Sequence, residues 1–148
     1  MIVAAGSSMH FGGQNKYCCK LGSMDKNLEA LNAHWQASAD GDADAEHAIY
    51  AEDAVCDYPQ SGERILGRQN LQALRTHHPG KPSGFKVRRI VGSGDLWVTE
   101  YTIVYQGKPA FTVSIMEFQE GKVVHETQYF ADPFEAPAWR SQWVHLMR

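Results

Sequence analysis

Between Asp25 and Ala37 the apolar residues Leu28, Leu31 and Trp35 recur at i, i+3 and i+7, the spacing that gathers side chains on one face of a helix. Ala30, Ala33 and Ala37 add helix propensity, and Ala39-Asp40-Gly41 ends the element. Asp42 is placed to cap a second helix, in which Ala45, Ala48 and Ile49 repeat the one-faced spacing and carry the pattern to Asp53. Two short strands, Ala54–Tyr58 and Glu63–Leu66, are predicted around the turn residues Pro59-Gln60-Ser61-Gly62. Gly67 opens a third helix with Leu71 and Leu74 on one side, and Pro79, Gly80 and Pro82 stop it.

From Phe85 the period changes to two. Phe85–Val91, Leu96–Tyr105, Ala110–Phe118 and Val123–Phe130 are β-branched or aromatic runs with short glycine-bearing connections, which predicts an antiparallel meander. Trp139 and Trp143, four apart, suggest a final helix over Ala136–Leu146. Segregated helices and strands make the fold class α+β, a curved antiparallel sheet with three helices on its concave face. The strand Ala110–Phe118 is apolar on both parities, with Phe111, Val113 and Ile115 on one side and Met116 and Phe118 on the other. An antiparallel sheet can leave one face wet, so a strand apolar on both faces calls for a second cover, and a homodimer through the outer face supplies it.

Length and charge narrow the function classes. The 148 residues fit one domain, read as 25–148 behind a flexible arm or gene-start remnant over 1–24. A net charge of -3, from 14 basic and 17 acidic residues spread along the chain, provides no cationic stripe for nucleic acid or an anionic membrane. The three cysteines form no metal-ligand or staple spacing, which predicts a reducing compartment, the cytoplasm, and no structural zinc. Residues 1–24 break too early into glycine and polar residues to read as a signal peptide or membrane span.

The stretches "ALNAHWQASADGDADAEHAIYAEDAVCDYP", "SGERILGRQNLQAL", "YQGKPAFTVSIMEF" and "GKVVHETQYFADPF", in this order, resemble the nuclear transport factor two-like superfamily, and within it the SnoaL-like polyketide cyclase and ketosteroid isomerase branch. The resemblance runs from about Asp25 to Phe134. It implies a cone-shaped α+β barrel with an enclosed pocket, dimerisation through the outer sheet face, and no cofactor. It also implies which side chains point inward: Tyr58 on the first strand, Thr99, Tyr101, Ile103 and Tyr105 on the second long strand, Ser114, Met116 and Phe118 on the third, and Glu126, Gln128 and Phe130 on the last. At the positions where steroid isomerases carry an aspartate base, a tyrosine and a protonated aspartate, this chain has Tyr58, His34 and Met116. A thioether neither abstracts an α-proton nor donates to an enolate oxygen, so steroid isomerisation by the usual residues is excluded.

A differently furnished pocket remains. His34 lies at the edge of the first helix's apolar stripe, where it is either an inward general base or acid or a plain helix-surface histidine. Glu126 alternates with Val124, Gln128 and Phe130; a carboxylate there is a functional group in the cavity or the partner of an arginine such as Arg64 or Arg75. Asp132 is a rim base by resemblance to SnoaL-like cyclases, or a turn cap before Pro133. Tyr58 is a donor to a substrate oxygen, or a core aromatic satisfied by Gln60 or Tyr101; its neighbour Asp57 points outward to Arg64. Trp97, Tyr101, Ser114, Met116, Gln128 and Phe130 complete the expected substrate lining, with Tyr50 reaching in from the second helix. Two functions follow: a cofactor-independent cyclase, isomerase or dehydratase acting on an apolar oxygenated metabolite through His34, Glu126, Asp132 and Tyr58, or a non-catalytic module binding a small ligand or a protein. Aromatic filling of the interior and an arginine on Glu126 would favour the second, and the first predicts that Glu126→Gln spares the fold.

Overall fold

In the computed structural model, which describes residues 25–147, Asp25 accepts a hydrogen bond from the backbone N–H of Asn27 at 3.0 Å and starts helix α1, Lys26–Asp40. Gly41 ends it in the left-handed region, φ 74°, where a side chain would be strained. Leu31, His34, Trp35 and Ala37 form its buried face. Asp42 then caps α2, Ala43–His47, by accepting from the N–H of Ala45 at 3.1 Å. The N-terminal arm expected over 1–24 lies outside the described residues.

The second helix is shorter than its pattern suggests, because the chain is already extended at Tyr50. Strand β1 spans Tyr50–Tyr58, so Tyr50 sits on a strand and not on a helix. Tertiary pairing overrides the helix-compatible Ala51-Glu52-Asp53: the N–H of Val123 donates to the carbonyl of Ile49 at 3.0 Å, and Lys122 Nζ donates to the carbonyl of Ala48 at 2.7 Å. Strand β2, Glu63–Leu66, completes the hairpin, and α3, Arg68–Thr76, follows Gly67. The meander is β3 Pro82–Ser93, β4 Leu96–Tyr105, β5 Lys108–Gln119 and β6 Lys122–Ala131. At Gly92 a Cβ would come within 2.3 Å of the Leu96 carbonyl oxygen, so the β3–β4 turn admits only glycine there.

One six-stranded sheet results, in the order β2-β1-β6-β5-β4-β3. β1 runs parallel to β6 and every other pair is antiparallel, so the sheet is mixed where an antiparallel one was expected. With β2 and β3 as unjoined edges, the sheet is curved but not closed into a barrel. The inner face carries Cys56, Thr99, Tyr101, Ser114, Met116, Phe118, Glu126 and Gln128, all buried, which matches the inward parity implied by the resemblance. The outer face leaves Phe111 and Tyr129 exposed, so β5 is apolar on both sides and one chain covers only one of them. The expected final helix is a 3-10 turn, η1, Ala138–Trp143, with Trp139 and Trp143 exposed. Their i, i+4 spacing marks a helical face, yet the turn buries none of its residues and Pro133 and Pro137 interrupt the approach to it.

Four strands are clamped on the outer face by charge. Arg64 grips Asp57 with Nε at 2.6 Å and Nη2 at 2.8 Å, the pair expected across the hairpin. His125 reaches Asp57 through Nε2 at 3.0 Å and Glu117 through Nδ1 at 2.5 Å, tying β6 to β1 and β5. Both ring nitrogens face carboxylate acceptors, which suits the imidazolium. Partial burial alone would lower the pKa of His125, but the hydrogen bonds to Asp57 and Glu117 outweigh it and raise the pKa. A group whose pKa is raised by folding stabilises fully below its unfolded value and loses that contribution as pH climbs through the folded one. The urea midpoint therefore falls as pH rises from the ordinary histidine value of about 6.5 through the raised one, and this limb flattens in His125→Gln. Equal losses in the two proteins would remove His125 as its source.

Candidate functional site

Arg75 lies four residues after the buried Leu71 on α3 and so shares its inward face. Its guanidinium reaches across the concave side of the sheet to Glu126: Nη2 donates to Oε2 at 2.9 Å and approaches Gln128 Oε1 at 3.3 Å. Nη1 donates to the Tyr50 hydroxyl at 3.1 Å and sits 3.5 Å from Glu46 Oε1. Tyr50 in turn donates to Glu126 Oε2 at 2.6 Å, and Ser114 donates to Oε1 at 2.5 Å. The Cys56 thiol lies 3.7 Å from the same carboxylate. Gln128 uses its amide N–H to reach the Tyr101 hydroxyl at 2.9 Å, which extends the network toward β4.

Glu126 is 0% exposed, an environment that alone would push its carboxyl up, but the Arg75 charge and the hydrogen bonds from Ser114 and Tyr50 hold it below its usual value. It is an ionised, fully solvated-by-protein carboxylate. Burial pushes the Tyr50 and Tyr101 phenols and the Cys56 thiol upward, so these groups remain neutral donors. The side chain of Arg75 is 17% exposed, and through it the network meets the rim of the inner face.

His34 belongs to a separate layer. Its Nδ1 lies 2.6 Å from the backbone carbonyl of Glu46, an arrangement in which Nδ1–H donates and Nε2 keeps a lone pair. Desolvation lowers its pKa to about 4, against the opposing backbone hydrogen bond, so the ring is neutral near pH 7. His47 repeats the arrangement with the Ala43 carbonyl at 2.7 Å, and both Nε2 atoms are buried without a partner. Beside them the interior is filled by rings: Trp35 stacks on Phe85 at 5.6 Å and packs on Tyr101 at 4.5 Å, and Phe85 stacks on Tyr101 at 5.1 Å. Trp35 Nε1 donates to Thr99 Oγ1 at 3.0 Å and fixes this layer to the sheet.

Residues 30–126 match the SnoaL-like domain. The chain belongs to the SnoaL-like family. At 76% identity it is similar to the crystal structure of an NTF-2 like protein of unknown function from Burkholderia xenovorans LB400, over 83% of this chain and 96% of that one, with a TM-score of 0.76. A likeness of fold alone extends to an M. tuberculosis LEH-like epoxide hydrolase, at 23% identity over 72% and 83% of the two chains, TM-score 0.58. It extends also to a protein with a ketosteroid isomerase-like fold from Catenulispora acidiphila in complex with trimethylamine, at 14% identity over 70% and 85%, TM-score 0.59. No curated protein matches this chain.

Within this SnoaL-like domain the expected site residues do not form a single cluster. Tyr50, Ser114, Glu126, Gln128 and Tyr101 come together around Arg75, and the buried Met116 lies opposite Glu126 in the β5–β6 register. His34 is inward but bonds to α2 and not to the carboxylate. Tyr58 and Phe130 meet edge to face at 5.4 Å, both half-buried at the open end of the inner face, where burial raises the Tyr58 hydroxyl to about 12. Asp132 departs from expectation. Asp132 lies beyond the end of β6 and is exposed, so it does not enter the cone as a rim base. Trp97 is buried on the inner face at the opposite end, its indole donating to the Gly94 carbonyl at 2.8 Å. Trp35, Phe85 and Tyr101 pack together between α1 and the inner face of the sheet. Arg75 is the centre that sequence reasoning named only as a rival explanation for Glu126; its i, i+4 spacing from Leu71 was the available signal.

Glu126→Gln does not spare the fold in this arrangement, because it leaves a buried guanidinium facing a neutral amide. The substitution is expected to cost about 3 kcal/mol in chemical denaturation. A loss below about 1 kcal/mol would show that Arg75 is neutralised elsewhere.

Proposed function

We propose that this SnoaL-like domain binds a small oxygenated molecule at the rim of its inner face, and that binding, not proton transfer by Glu126, is the role of its polar network. One observation supports this reading: the Glu126 side chain is wholly enclosed while that of its partner Arg75 is partly exposed, so Arg75 is the member of the ion pair that reaches the rim. A carboxylate held by an arginine and two hydroxyl donors is a weak base and has no proton to give as an acid. The interior aromatic stack leaves the open end, at Tyr58, Phe130 and Tyr105, as the place where an apolar body with an oxygen can rest. There Arg75 and Tyr58 are donors for that oxygen, and Gln128 orients Arg75. The trimethylamine complex of the Catenulispora relative supports small-molecule binding by this fold.

The outer sheet face is the second half of the proposal. Phe111 and Tyr129 are exposed at its centre, with Arg88, Glu100, Asp57, Arg64 and His125 around them, an apolar patch with a charged rim. A homodimer through this face covers it.

Native mass spectrometry of freshly purified protein, with ligand-observed NMR on a panel of cyclic ketones, hydroxyketones and carboxylates, tests the first half. A retained or bound compound is expected, with affinity reduced about tenfold in Tyr58→Phe. Binding indifferent to Tyr58 would displace the rim site. Conversion of the compound by wild type but not by His34→Asn would replace the binding reading with acid-base catalysis at the unpartnered imidazole nitrogen. For the second half, sedimentation at micromolar concentration is expected to give a dimer, and a 16.6 kDa species alone would refute the paired sheets.

A further inference from the structure

The outer face carries a groove of about 300 Å3 that runs across the strands, from Arg88 and Glu100 over Phe111 and Val113 to Tyr129 and Ala131. Its floor is apolar, with Phe111 52% exposed. Ala131 is also the last residue of β6, so the C-terminal segment departs from the groove's own wall. That segment has the composition of a buried element without being buried. Phe134, Trp139, Trp143 and Leu146 all project outward, the two indoles 73% and 71% exposed.

We propose that the segment from Asp132 to Leu146 of one copy lies in the outer-face groove of a second copy, with the exchange made in both directions. The inference rests on the pairing of outer faces proposed above and adds what fills the groove between them. Three features fit a second copy. The chain's own segment leaves the groove rim with its indoles in solvent, so it does not cover the groove it starts from. Pro133 and Pro137 restrict φ and withdraw two backbone donors, which favours an extended ribbon able to cross to a neighbour. Charge is complementary: the groove end holds Arg88 and Arg89 against the single Glu100, leaving one positive charge in excess, while the segment holds Asp132 and Glu135 at its start against the single Arg140, leaving one negative charge in excess. A reciprocal exchange is isologous and closes after two copies, so it buries both grooves and both pairs of tryptophans without opening a route to polymers.

The test uses the full chain with p-benzoylphenylalanine at position 139, mixed in equal parts with isotopically heavy unsubstituted chain, then irradiated and digested. Cross-links between position 139 of the light copy and heavy peptides containing Phe111 or Tyr129 are expected. Cross-links confined to light peptides, or a dimer that forms no link to the groove, would overturn the exchange while leaving sheet pairing intact. A chain that only ever sediments as a monomer would overturn both. Independently, Arg88→Glu should weaken dimerisation about tenfold, and Glu135→Arg in the same chain should restore it. A charge reversal that changes nothing, or that the second substitution fails to rescue, would also count against the seat.

Discussion

The buried ion pair between Arg75 and Glu126 is the interaction on which the rest of the molecule depends. It joins α3 to β6 across the inner face, and its hydrogen-bonding neighbours come from β1 and β5 as well. Desolvating two charges is costly, and the arrangement is tolerable only because Tyr50, Ser114 and Gln128 complete the coordination of both partners. An apolar pair of equal volume would hold the layers together without that cost. What the ions add is geometric: carboxylate and guanidinium admit few relative orientations, so the helix is fixed on the sheet to within hydrogen-bonding tolerance.

A second consequence concerns chemistry. The same bonds that make Glu126 affordable in the interior deprive it of a proton to move, since stabilising the ionised form weakens it as a base. The neutral histidines are the reverse case. Their Nδ1 atoms are satisfied by backbone carbonyls, and their Nε2 lone pairs are left unmatched inside the fold. The domain thus separates a charged, fully bonded layer facing the rim from a neutral, under-bonded layer beneath α1 and α2.

Much of the fold was legible because its signals are local. Asp25 and Asp42 cap helices, Gly41 takes the left-handed turn, and the period of two from Phe85 marks four strands whose inward parity the coordinates repeat. The misread elements are those set by distant partners. Ala51-Glu52-Asp53 has no strand preference of its own and is carried as an irregular extended stretch between the pairings of Tyr50 and Val55 with β6; the pair Trp139 and Trp143 has helical spacing and is exposed. The site followed the same division. Alternation placed Glu126 and Gln128 on one face of their strand and the family resemblance turned that face, with Ser114, inward, whereas only the spacing of Arg75 from Leu71 hinted at which arginine would answer the carboxylate, and nothing along the chain indicated that Trp35, Phe85 and Tyr101 would stack together.

The parallel contact of β1 with β6 has a bearing on synthesis. β6 is the last strand made, yet it lies in the interior of the sheet, between the hairpin β1–β2 and the strands β3 to β5. Until residues beyond Ala131 have left the ribosome, the nascent chain holds two partial sheets, each with a bare hydrogen-bonding edge, and Arg75 lacks the buried carboxylate of Glu126. Assembly of the centre is therefore a late event in translation, and a chain halted before its final strand is a candidate for chaperone custody and not a shortened version of the same domain.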